Sequence, residues 1–118
     1  MDIELTIEGT TLRGTIDDNA AGRDFGSLLP LTLTLTDYHS TEKISDLPRA
    51  LSTEGAPNGI TPSPGDITYF APWGNLALFY NDFTYSDGLV HLGRLEPRAA
   101  AVLAGLEDAT TITVAAVD

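Results

Sequence analysis

Apolar and polar residues alternate along most of the chain. Ile3, Leu5 and Ile7 alternate with Glu4, Thr6 and Glu8, a period of two that predicts a half-buried strand. Gly9 and Thr10 supply a turn, and Leu12, Gly14 and Ile16 continue the alternation as the return arm of a hairpin. The period changes after Asp18 and Asn19, either of which can cap a helix with its short side-chain oxygen. Ala21, Phe25, Leu28 and Leu29 then share one helical face, and Pro30 ends the run. Gly22 and Gly26 weaken this helix by roughly 1 kcal/mol each relative to Ala, so it must be held by packing.

Leu31, Leu33 and Leu35 alternate with Thr32, Thr34 and Thr36, the clearest strand in the sequence. A weaker strand is expected over residues 42–47, with a short helical turn around 49–51. Residues 52–65 carry Gly55, Pro57, Gly59, Pro62, Pro64 and Gly65 without apolar periodicity. They read as a long ordered loop, a feature often tied to function in small domains. Strands are predicted over 66–71, 74–80, 89–95 and 110–117, the first two joined at Pro72 and Trp73. Pro97 suits the start of a second helix that turns Val102, Leu103 and Leu106 inward. The expectation is a mainly β chain forming one domain over residues 1–118: eight strands in a closed or nearly closed barrel, with two short helices as caps.

Composition narrows the function classes. The 118 residues carry 6 Lys+Arg against 17 Asp+Glu, a formal net charge of -11, and no Cys. Disulfide frameworks, cysteine nucleophiles and cysteine-based zinc sites are thereby excluded. Nucleic acid is not an expected partner, because neutralising phosphates needs clustered Lys and Arg. The charge is spread over both halves, so most of it reads as the solvated outer face of a barrel. With so few cations, a neutral or cationic ligand is easier to accommodate than an anion. No apolar run suggests a leader or a membrane span, and a cytoplasmic setting is expected.

Motifs for established chemistries are missing. His39 and His91 are the only histidines and have no metal-ligand spacing, so no metal site and no cofactor are expected. Neither a phosphate-cradling Gly-rich loop nor a nucleophile elbow occurs. Glu54, inside the long loop, could act as a general acid or base, or else fasten loop amides. Aromatic residues carry the strongest signal. Seven of the nine lie between residues 69 and 85: Tyr69, Phe70, Trp73, Phe79, Tyr80, Phe83 and Tyr85. Alternation sends them to both faces of one hairpin. One face can fill the barrel, and the other must form a second apolar cluster or line a cleft. Core packing is preferred for Phe79.

Several segments together resemble a known group. They are Asn19-Ala20-Ala21 with Asp24-Phe25 and Leu28-Leu29-Pro30, Lys43-Ile44, Leu47-Pro48, and Ser52-Thr53-Glu54-Gly55-Ala56-Pro57. Gly65-Asp66-Ile67 and Ala71-Pro72-Trp73-Gly74-Asn75-Leu76-Ala77 complete the set. The chain resembles, over nearly its whole length, the bacterial cyclophilin-like proteins of unknown function. The resemblance implies an eight-stranded cyclophilin-type barrel with helices closing its ends. The Phe-His-Arg and Phe-Met-x-Gln-Gly segments of true cyclophilins are absent, so no catalytic residue is assigned.

The leading expectation is therefore a domain that binds a small molecule or a peptide where the 52–65 loop meets the 70–85 hairpin. Trp73, Tyr80 and Tyr85 would form apolar walls, and Arg49, Glu54 and Asn75 polar contacts. A weak peptidyl-prolyl isomerase is the first alternative. The second is a structural or interaction module, with a homodimer burying the aromatic hairpin.

Overall fold

The computed structural model describes residues 1–117. In chain order the elements are β1 (Asp2–Ile7), β2 (Thr10–Ile16), α1 (Ala20–Gly26), β3 (Leu31–Tyr38), β4 (Glu42–Asp46) and β5 (Gly59–Ile60). They continue with β6 (Asp66–Phe70), β7 (Asn75–Phe79), β8 (Ser86–Asp87), β9 (Leu89–Leu95), α2 (Ala99–Ala104) and β10 (Thr110–Ala116). Eight strands close into an antiparallel barrel in the order β1-β10-β3-β4-β7-β6-β9-β2, and β5 and β8 form a separate two-stranded ribbon.

Closure follows from the alternation. Ile3, Leu5 and Ile7 of β1 and Leu33 and Leu35 of β3 all point into one buried core, while the intervening Thr6, Thr32, Thr34 and Thr36 face water. The β1–β2 turn is tight because Glu8 and Gly9 both adopt positive φ, 48° and 82°, the geometry that matches strand twist. Gly93 lies where β9 crosses β2. A Cβ there would stand 2.0 Å from the carbonyl oxygen of Thr15, so only glycine allows this approach.

Helix α1 opens at Asn19, whose Oδ1 accepts a 2.7 Å hydrogen bond from the Gly22 amide. It buries Ala21 and Phe25 in the core beside the start of β1, where the Ile16 amide donates to the Met1 carbonyl. Leu28 and Leu29 lie beyond the helix but still pack on the core. Helix α2 buries Ala99 and Leu103 near the other end of β1. Arg98 fastens it there by donating to the Thr11 carbonyl at 2.6 Å.

Two details differ from the sequence expectation. Residues 49–51 form no helix. The Leu51 amide donates to the buried Tyr69 hydroxyl at 3.1 Å and the Ser52 amide to Asp24 at 2.7 Å, and these bonds replace a helical turn. The 52–65 loop also contains a strand, β5. Gly59 can pair with Asp87 because it lacks a side chain; a Cβ would meet the Ser86 carbonyl oxygen at 2.3 Å.

Candidate functional site

The aromatic hairpin divides as its alternation requires. Tyr69, Leu76 and Leu78 belong to the barrel core. Ala77, Phe79 and Leu89 form a second cluster outside it, joined by Ile44, Ile60 and Phe70. Register then builds a site on this outer face. Tyr38 on β3 pairs with Glu42 on β4, and Glu42 pairs with Phe79 on β7. The three side chains thus form one row across three strands.

Trp73, in the β6–β7 turn, meets Tyr38 edge-on at 5.5 Å and 84° and Phe70 at 5.3 Å and 85°. Phe83 lies 6.3 Å from Phe79. These rings, with His39, Thr41, Glu42, Ser86, Asp87 and Leu89, enclose a cavity of about 260 Å³. The β5–β8 ribbon holds Ser86 and Asp87 in place, but no residue of the 52–65 loop itself lines this cavity. Burial, and secondarily the nearby Asp37 carboxylate, pushes the Glu42 carboxyl up to about 7.

Of the residues expected to form a site, only Trp73 lines this cavity. Glu54 lines a different cavity of about 270 Å³, with Asn19, Ala56, Pro57 and His91. Arg49 is tied to Asp24 at 2.7 Å. The Asp24 hydrogen bond raises the Arg49 pKa, and Arg49 in turn lowers that of Asp24. Asn75 is buried, and its Oδ1 has no hydrogen-bond partner among the described residues. Tyr85 is exposed.

Tyr80 turns toward the barrel core and donates to Asp37 at 2.5 Å. Its phenol is pushed up to about 12, chiefly by burial and then by Asp37, while the same hydrogen bond holds Asp37 below the usual carboxylate range. Lys43 completes this cluster, 3.3 Å from Asp37 and 3.1 Å from the Leu106 carbonyl oxygen. None of the three lines either cavity, although Asp37 adjoins Tyr38 and Glu42 of the aromatic one.

Sequence reasoning missed Tyr38, His39, Glu42, Phe70 and Phe83 as a group. One signal was available: Tyr38 occupies the position after Thr32, Thr34 and Thr36 on the polar face of β3, where an aromatic ring needs a partner. It also missed a polar chain on β9. His91 Nδ1 lies 2.5 Å from Asp17, and Nε2 lies 3.4 Å from Asp66. Asp66 further accepts from Arg94 at 2.5 Å and from the Ser63 amide at 2.8 Å. This chain fastens the 52–65 loop to the barrel. Among the described residues, no three His, Cys, Asp or Glu side chains gather as a metal site requires.

The chain is thus an eight-stranded antiparallel β-barrel domain with two short helices and a cavity on its outer face. The sequence profile of the cyclophilin-like family matches residues 5–115, and the chain belongs to that family. Its fold is similar to the solution structure of a hypothetical protein from Archaeoglobus fulgidus, with a TM-score of 0.67 at 17% identity. That similarity covers 99% of this chain and 95% of the archaeal one. No curated protein matches the sequence. No helix among the described residues is long and apolar enough to cross a membrane.

Proposed function

We propose that this cyclophilin-like domain binds a small ligand, or a side chain of a peptide, in the aromatic cavity beside the barrel. The observation that carries the reading is the gathering of exposed aromatic surface around one concavity. Trp73 is 57% and Phe83 46% exposed, beside the outer apolar cluster of Ala77, Phe79 and Leu89. Exposed apolar surface of this kind marks interaction sites. The volume of about 260 Å³ lies just below the range of drug-sized pockets, which favours a small head group or one side chain.

Trp73 is the sole tryptophan, so its emission reports on this cavity alone. Titration with short apolar peptides, Xaa-Pro peptides and flavin mononucleotide should give a saturable change for at least one probe. That change should vanish in Phe83→Ala and persist in Ala56→Ser, at the second cavity. Flat titrations throughout, or a response that ignores Phe83, would overturn the reading.

A further inference from the structure

The same cavity combines two features that select one ligand chemistry. Trp73 stands near a right angle to both Tyr38 and Phe70, at 84° and 85°, and the three rings make one corner of the lining. Ring faces carry negative potential and attract cations, most strongly when water is excluded. Two carboxylates, Glu42 and Asp87, share the lining, and neither Lys nor Arg does. The chain as a whole carries -11. An anion would meet adverse charge from the walls and from the wider surface. A neutral apolar group would leave the half-buried Glu42 carboxylate without a partner.

We propose that the cavity takes a small organic ammonium ion with alkyl substituents, its methyl groups against Tyr38, Phe70 and Trp73 and its charge opposite Glu42. This rests on the cavity being a binding site and adds the class of ligand. Alkyl groups satisfy the rings by burial, and the diffuse charge satisfies ring faces and carboxylate together. A hydrated ammonium ion, by contrast, would have to shed its water against an apolar wall. At pH 8 the Glu42 carboxyl, raised to about 7, is ionised and able to serve.

The test compares choline with 3,3-dimethylbutan-1-ol, the neutral molecule of the same shape, by calorimetry on the full chain at pH 8. Choline should bind at least about tenfold more tightly than the alcohol. Glu42→Gln should reduce that preference severalfold, weakening choline and, by removing an unpartnered carboxylate, tightening the alcohol if anything. Asp87→Asn, at an exposed position, supplies a second charge variant that does not touch the packed face. Trp73→Ala should weaken both ligands. Equal affinities, a tighter alcohol, or a choline preference untouched by both charge variants would overturn the ammonium assignment. Failure of both ligands to bind, alongside a saturable response to an apolar peptide, would also overturn it and leave the binding reading standing. No response to any probe would remove both.

Discussion

Burial and a neighbouring carboxylate disfavour the charged form of Glu42, and its replacement by Gln makes a quantitative prediction. Burial and the neighbouring Asp37 raise its carboxyl from 4.5 to about 7. At 1.36 kcal/mol for each pH unit, that corresponds to about 3 kcal/mol between the two protonation states. Glu42 is partly exposed, and solvent screening reduces the expected effect to about 1–2 kcal/mol. The folded protein holds this proton more tightly than the unfolded chain does. The resulting stability is complete below about 4.5 and disappears as pH rises through about 7. Gln is neutral throughout and keeps the shape. Glu42→Gln should therefore match the wild type at pH 4 and exceed it by about 1–2 kcal/mol at pH 8. Urea titrations followed by circular dichroism measure both. Stability curves that stay parallel from pH 4 to pH 8 would refute the reasoning, because they would place Glu42 in an environment no different from water.

Three further substitutions probe the fold and the cavity. Tyr69→Phe removes the hydroxyl that accepts from the buried Leu51 amide and should cost about 1–3 kcal/mol in urea denaturation. Gly93→Ala should destabilise by about 3 kcal/mol or prevent folding, since its Cβ would meet the rigid Thr15 backbone; a wild-type melting temperature would refute this. Trp73→Ala should lower stability by no more than about 1 kcal/mol, because the ring is largely exposed and contributes mainly edge contacts. A large loss there, seen by thermal melting, would show that Trp73 holds the wall together rather than lining it.

The barrel was legible because each strand carries its own instruction. The Leu-Thr alternation of β3 and the Ile-Glu/Thr alternation of β1 fix which side faces the core within a few residues. Helix α1 was legible through Asn19 and the spacing of Ala21 and Phe25. The expected helical turn at 49–51 failed because long-range partners, Tyr69 and Asp24, took its amides. β5 was invisible because two residues carry no period. Among the site residues, Trp73 could be singled out by the crowding of aromatics around it. Arg49, Glu54, Asn75, Tyr80 and Tyr85 share that stretch of sequence or its neighbouring loop but not the cavity. Arg49 is paired with Asp24, Tyr80 packs on the barrel core, and Glu54 borders the second cavity.

By itself the sequence determined the class of the fold, the strand faces, the acidic exterior and the aromatic richness of one hairpin. These are local properties, set by periods of two and 3.6 and by side-chain type. Tertiary structure alone decided that Tyr38 and Glu42 would stand beside Trp73 and Phe79, and that the Glu54 loop would face another cavity. Closing the barrel fixes the register of β3, β4 and β7, and register brings into one wall residues that lie more than thirty positions apart in the chain.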